Sequence, residues 1–232
     1  MSAAIAAGRA RKLALPPPFH AVVRPDIADA GREACRLAAS GEAEAGTLVW
    51  KGPADTIDLA VILGPEEPLA TARRAFLAGM VALAAAIGTH APPEMAVDID
   101  WPDTLLFDGA RIGGGHLRSP DECAEDEEPS WLIFSGMVIA SKAHAGDPGL
   151  TPFSTSLEEQ GFGHDDQEAL VEAFARNLMK IFEIWHEDGF EAVASRYLAH
   201  LSGEGVGAID RIGAEALRTP TWLDPATGTV RL

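Results

Sequence analysis

Residues 97–119 constrain the fold of this chain more than any other stretch. Apolar and acidic residues alternate over its first five positions, which are Val97, Asp98, Ile99, Asp100 and Trp101. This alternation is typical of a half-buried strand. Pro102 should interrupt the pairing because it has no backbone N–H to donate. A second, short apolar strand is expected at residues 105–107, so the stretch predicts strands joined by tight links.

The return strand of this predicted hairpin combines one cation with a run of glycines. Asp108 and Gly109 form a dipeptide that favours a two-residue hairpin turn, and Arg111 follows. Glycine weakens a strand unless another group must approach the backbone closely. Either a ligand or tight packing of the hairpin itself would satisfy that need at Gly113, Gly114 and Gly115. We therefore treat the hairpin as a candidate binding surface.

Composition limits the function further. The chain has 232 residues, enough for one sizeable domain with a small appendage. Its formal net charge of −17 argues against binding to nucleic acid or to an anionic membrane surface. Cys35 and Cys123 form neither a metal-ligand pattern nor a disulfide framework. With no long apolar run and no signal-peptide pattern, we expect a cytoplasmic protein.

The Asp108-Gly109 hairpin and the short links between apolar runs predict an α/β (α+β) fold with a mixed, mostly antiparallel sheet flanked by helices. Beyond the hairpin, strands are expected at residues 20–23, 55–63 and 130–141. Helices are expected at residues 27–39, 68–88, 165–189 and 190–201. Asp26 is the expected N-cap of the first helix, and Asp165 with Glu168 forms a capping box for the third. We expect residues 1–18 to be a disordered or extended lead-in, 19–201 the main domain, and 202–232 a small β-rich extension.

The order of strand, Trp-Pro break, hairpin, basic residue and glycine resembles the core of the biotin/lipoate A/B protein ligase family. The resemblance covers roughly residues 20–200 and implies a fold like that of class II aminoacyl-tRNA synthetases. It also implies a two-step reaction. ATP activates the carboxylate of biotin or a fatty acid, and a lysine of an acceptor protein then attacks the adenylate.

Several family positions carry different residues here. The family's lysine before Trp-Pro falls on Asp100, its asparagine on Asp103, its aspartate on Thr104, and its hairpin lysine on Arg111. The arginine- and glycine-rich loop that wraps the adenylate phosphate would fall on residues 40–46. That loop carries Glu42, Glu44 and no arginine.

These residues define the candidate site. Arg111 is the candidate catalytic cation, because arginine can hold a carboxylate bidentately; a salt bridge to neighbouring carboxylates is the alternative. The candidate ligand-binding residues are Trp50, Asp100, Trp101, Asp103, Gly113, Gly114 and Gly115. No metal site is expected, since the acidic residues of 119–129 are typical of a solvated loop and the histidines are scattered.

Two functions remain open. The first is a divergent ligase that binds a small carboxylic acid of the biotin, lipoate or octanoate type and transfers it to a lysine of an acceptor protein. The second is a non-adenylating relative that serves as a ligand-binding or regulatory protein. ATP would bring its phosphates to the loop that carries Glu42 and Glu44. One like-charge pair between a glutamate and a phosphate at about 4 Å costs on the order of 4 kcal/mol at an effective dielectric of 20. We therefore expect ATP with Mg²⁺ to bind no tighter than roughly millimolar.

Overall fold

The computed structural model describes residues 12–92, 95–163, 166–202 and 220–232. Its strands form one seven-stranded sheet in the order β1-β2-β3-β7-β6-β5-β4. The strands are β1 (His20–Val23), β2 (Thr47–Trp50), β3 (Thr56–Leu63), β4 (Val97–Asp100), β5 (Thr104–Phe107), β6 (Ala110–Arg118) and β7 (Leu132–Ile139). The helices are α1 (Ala30–Ala39), α2 (Leu69–Ala72), α3 (Ala75–His90), α4 (Asp166–Asp188) and α5 (Phe190–Ala199).

The pairing of the strands confirms the predicted mixed, mostly antiparallel sheet. β1 runs parallel to β2, and every other neighbouring pair is antiparallel. β3 and β7 pair along eight residues at the centre, where Asp58 lies opposite Met137. On the other side of β7, Met137 lies opposite Gly114 of β6. These three residues therefore form one row across the middle of the sheet.

Helices α3, α4 and α5 cover one face of the sheet, which we call the helical face. α3 is apolar nearly all round, and its side chains are buried between the sheet and α4. The segment Leu69–His90 is long and apolar enough to cross a membrane, yet 72% of its apolar window is buried inside the protein. A helix packed in this way is the central helix of the core, because its apolar surface is already covered.

The opposite face, which we call the α1 face, has two different covers. Ala30, Ala34 and Leu37 of α1 pack on β2, β3 and β7. Residues 220–232, which we call the C-terminal hairpin, lie over β6 and β7, where Trp222 and Val230 pack on Met137 and Ile139. A bridge between Leu223 and Val230 closes this hairpin on itself.

Three predicted boundaries need correction or qualification. The first helix begins at Ala30 rather than near Ile27, because Asp29, not Asp26, accepts the N–H of Arg32 and caps it. The helix expected at 68–88 is two helices, α2 and α3, separated by a turn at residues 73–74. The predicted N-cap Asp165 lies outside the described residues, as do residues 1–11 and residues 203–219 of the expected extension.

Candidate functional site

The β5–β6 hairpin positions the candidate cation. Asp108 and Gly109 have φ values of +48° and +79°, which their turn requires and which glycine adopts without strain. The register between β5 and β6 then shifts between Leu105 and Leu106. Ile112 points into the core on the helical face, whereas the Arg111 side chain reaches the C-terminal hairpin on the α1 face.

The guanidinium of Arg111 is only partly satisfied. Its Nη1 donates to the backbone carbonyl of Arg231 at 3.2 Å. Its Nε is buried, and no described residue accepts a hydrogen bond from it. Among the described residues, no carboxylate forms an ion pair with Arg111. Arg111 therefore does not form the alternative salt bridge with any carboxylate in the described part of the chain.

The three glycines of β6 meet protein atoms on both faces. A Cβ on Gly113 would lie 2.0 Å from the Met137 carbonyl oxygen, and one on Gly115 would lie 2.5 Å from the Met80 sulfur. Backbone and core packing thus account for these two glycines. Gly114 differs because its neighbour is a side chain of the C-terminal hairpin. A Cβ on Gly114 would lie 2.2 Å from the indole ring of Trp222.

Asp103 anchors the C-terminal hairpin beside Gly114. It is 1% exposed, its Oδ2 accepts the Thr221 N–H at 2.9 Å, and its Oδ1 accepts the Thr221 hydroxyl at 2.5 Å. Burial raises the pKa of the Asp103 carboxyl, and the bonds from Thr221 oppose that shift. Trp222 adds a bond from its indole N–H to the Gly115 carbonyl at 3.0 Å. Asp103 therefore binds the protein's own chain on this face.

The remaining predicted residues lie elsewhere. Trp50 is fully buried in the core of the helical face. Trp101 packs edge-on against Tyr197 of α5, with ring centroids 6.0 Å apart, and its peptide bond to Pro102 is cis. Asp100 is exposed at the end of edge strand β4. The structure brings Arg111, Asp103 and Gly114 to the C-terminal hairpin, but it does not bring Trp50 or Trp101 to them.

Asp58 is a residue of the α1 face that the sequence analysis did not single out. It is the third residue of β3 and 3% exposed, and its Oδ2 accepts the N–H of Ala30 at the start of α1 at 3.0 Å. Its Oδ1 is buried and has no hydrogen-bond partner among the described residues. Burial, with a smaller contribution from Asp29, raises the pKa of Asp58 to about 6. A lone acidic residue inside the apolar stretch 57–63 was the sequence feature that could have revealed it.

Asp58 lines a cavity of about 340 Å³ between the sheet and the C-terminal hairpin. Lys51, Ser141, His144 and Thr229 also line it, and His144 lies 3.4 Å from Asp55 at its rim. A larger cavity, of about 580 Å³, lies beside α1 and contains none of the predicted site residues. Its arginines already have carboxylate partners: Arg36 pairs with Glu33 and Glu42, Arg73 with Glu125, and Arg118 with Asp29.

The region expected to meet a nucleotide has no cationic loop. Glu42 is held at the end of α1, where Arg36 donates to it at 2.8 Å. The link between β2 and β3 consists of residues 51–55 and contains a single cation, Lys51. Among the described residues, no group of three or more His, Cys, Asp and Glu side chains could hold a metal ion.

A single seven-stranded, mostly antiparallel sheet with helices packed on it defines a mixed α/β domain. The family model described as the biotin/lipoate A/B protein ligase family matches residues 15–199. The chain belongs to that family.

Individual relatives agree with this assignment. The chain is 29% identical over 168 residues to the biotin–[acetyl-CoA-carboxylase] ligase of Paracoccus denitrificans, covering 71% of this chain and 68% of that enzyme. It superposes with a TM-score of 0.74 on a biotin protein ligase-like protein of unknown function from Silicibacter sp. TM1040, at 28% identity over 83% of this chain and 82% of that one. The Aquifex aeolicus biotin protein ligase in complex with biotin and ATP shares the fold, with a TM-score of 0.58 at 14% identity over 80% and 84% of the two chains.

Proposed function

We propose that this protein binds a small carboxylic acid of the biotin or acyl type on the α1 face, with Arg111 holding the carboxylate. The observation that carries this proposal is the buried Nε of Arg111, which has no hydrogen-bond partner among the described residues. A buried donor without an acceptor costs about 1–3 kcal/mol. A carboxylate would remove that cost and would form a charge-assisted bond, the stronger kind.

Arg111 keeps one donor for an incoming anion after its contact with the C-terminal hairpin. Nη1 is already engaged by the Arg231 carbonyl. Nε is therefore the donor left for the carboxylate. Arginine keeps its charge at every physiological pH and presents a fixed fork to a planar carboxylate. In this proposal Arg111 binds and orients the acid and takes no part in proton transfer.

We further propose that the acid is bound without being adenylated. Glutamates occupy the loop at residues 40–46, and the β2–β3 link offers one lysine. Neither segment supplies the clustered cations and backbone donors with which proteins grip phosphates. The protein would then act as a ligand-binding or regulatory member of its family.

A ligase that transfers the acid to a lysine of an acceptor protein is the second candidate. It is favoured by the sequence identity with a biotin ligase over most of the chain. This candidate requires ATP with Mg²⁺ in the same site, and it requires a carrier domain as protein partner. The two candidates differ in one measurable property, which is the release of pyrophosphate in the presence of the acid.

Calorimetric titration with biotin, lipoate and octanoate tests the carboxylate site. We expect at least one of these acids to bind, and we expect Arg111→Met to weaken it at least about tenfold, equivalent to about 1.4 kcal/mol. Arg111→Lys should retain part of the affinity because it keeps the charge but loses the Nε edge. Arg32→Met is the matched control, because Arg32 is a surface arginine of α1. Unchanged affinity in Arg111→Met would refute the proposal.

A further inference from the structure

Trp222 of the C-terminal hairpin covers the glycine surface of β6. The residue is 2% exposed, and its ring lies so close to Gly114 that a Cβ built there would come within 2.2 Å of it. Its indole N–H donates to the Gly115 carbonyl at 3.0 Å, and its ring packs on Met137 of β7. A ligand can therefore reach this part of the α1 face only if Trp222 moves.

The same hairpin binds two charged residues that the sequence predicted for the site. Thr221 donates its N–H and its hydroxyl to Asp103. The Arg231 carbonyl accepts a hydrogen bond from Nη1 of Arg111 at 3.2 Å. Asp103 and Arg111 thus each make to the protein's own chain a bond that they could otherwise make to a ligand. The C-terminal hairpin takes the place that a ligand of this face would take.

The hairpin is attached to the sheet separately from the main core. Its buried side chains, Trp222 and Val230, form a small cluster with Met137 and Ile139 that is distinct from the main core cluster. Its own two arms are bridged at Leu223 and Val230, and no strand ladder among the described residues joins it to the sheet. A segment with few apolar contacts and no ladder opens at a lower free energy than the core does. The hairpin can therefore leave the sheet while the rest of the domain stays folded.

We infer that the C-terminal hairpin is an autoinhibitory segment, which competes with the acid for the surface beside Arg111. The inference rests on the proposed carboxylate site at that residue. The surface that continues from Arg111 along β6 lies beneath Trp222, so the body of a bound acid and the hairpin exclude each other there. The apparent affinity for the acid is then reduced by the fraction of molecules whose hairpin is displaced. By linkage, the acid must in turn displace the hairpin.

Calorimetry of biotin, lipoate and octanoate with the full chain measures this competition. Trp222→Ala should tighten the binding of an acid at least about tenfold, because the apparent dissociation constant is the intrinsic one divided by the open fraction. Thr221→Val removes only the hydroxyl that binds Asp103, so it should tighten binding by a smaller factor. It serves as the test if Trp222→Ala does not fold. Trp185→Ala is the matched control and should leave the affinity unchanged, because Trp185 packs among aromatic side chains of α4 and α5 on the helical face.

Proteolysis of the unaltered protein gives a second readout, which a merely structural hairpin would not change. Chymotrypsin cleaves after tryptophan and leucine, so mass spectrometry can follow cleavage at Trp222 and Leu223. A ligand that binds only the folded state normally protects a protein from proteolysis. Here a saturating acid should instead speed cleavage at these two residues, while the rest of the chain stays protected.

The outcomes separate this inference from the proposed function. If both hairpin variants leave the affinity unchanged while Arg111→Met weakens it, autoinhibition is overturned and the carboxylate site stands. If Trp222→Ala tightens binding and adding Arg111→Met to it has no effect, the carboxylate site fails and autoinhibition stands. Slower cleavage at Trp222 in the presence of the acid would also overturn autoinhibition. If none of the three acids binds to the unaltered protein or to any variant, both proposals are refuted.

Discussion

The indole of Trp222 lies directly against Gly114, so that a Cβ built on this glycine would come within 2.2 Å of the ring. The Asp103 carbonyl lies 2.4 Å from the same point. Gly114→Ala should therefore displace the C-terminal hairpin or strain it, at a cost of about 1–3 kcal/mol in the free energy of unfolding. Urea denaturation measures this difference.

Gly88→Ala is the control for that substitution. A Cβ at Gly88, in α3, meets no atom within 4 Å. Alanine should instead stabilise the helix by roughly 0.5–1 kcal/mol, because it restricts the unfolded chain. Equal effects of the two substitutions would show that the Trp222 contact does not constrain β6.

The anchor between Asp103 and Thr221 makes a second prediction. Asp103→Ala removes two acceptors and leaves the Thr221 N–H without its partner, which should cost about 1–3 kcal/mol. The loss should be local, so residues 220–232 should become accessible to protease before the rest of the protein unfolds. Asp98→Ala, at a position of β4 outside this contact, is the control. Undiminished protease resistance of the hairpin in Asp103→Ala would contradict the anchor.

Asp58 predicts how the stability of the unliganded protein depends on pH. Burial raises its pKa in the folded state to about 6 from 3.8, so the folded protein binds the proton more tightly than the unfolded chain does. The contribution of Asp58 to the stability of the folded protein is therefore present at low pH, and it is lost as the pH rises from about 4 to about 6. The two-unit difference corresponds to about 3 kcal/mol, and Asp58→Asn should remove that slope.

Thermal unfolding of the unaltered protein and of Asp58→Asn between pH 4 and pH 8 measures the difference. Lys51 and Arg118 lower the pKa of Asp58, while Asp29 raises it. His144 and Asp55 line the same cavity in both proteins, so the comparison of the two curves isolates Asp58. Parallel curves would show that Asp58 is ionised equally in both states.

The sheet was predictable from sequence because its signals are local. The alternation at residues 97–101, the Asp108-Gly109 turn and the apolar stretch before Leu63 each specify a strand or a turn by themselves. The first helix was misplaced because Asp26 and Asp29 both precede it, and only the hydrogen bond to Arg32 distinguishes the cap.

The site was harder to predict because its contacts are distant in sequence. Asp103 meets Thr221 across 118 residues, and no local pattern encodes that contact. Trp50 was expected to bind the ligand. All four residues of β2 are buried, so their burial does not reveal the face of the sheet to which each side chain points. The register with β3 puts Trp50 opposite Leu59, on the helical face, whereas Asp58 points to the α1 face.

Calorimetric titration of biotin into the protein, with and without ATP and Mg²⁺ at low ionic strength, tests the central claim most directly. We predict that biotin binds, that ATP alone binds no tighter than roughly millimolar, and that adding both releases no pyrophosphate. The acidic loop at residues 40–46 and the single cation of the β2–β3 link are the reasons. A micromolar constant for ATP, together with biotin-dependent release of pyrophosphate, would contradict this account and identify the protein as an adenylating ligase.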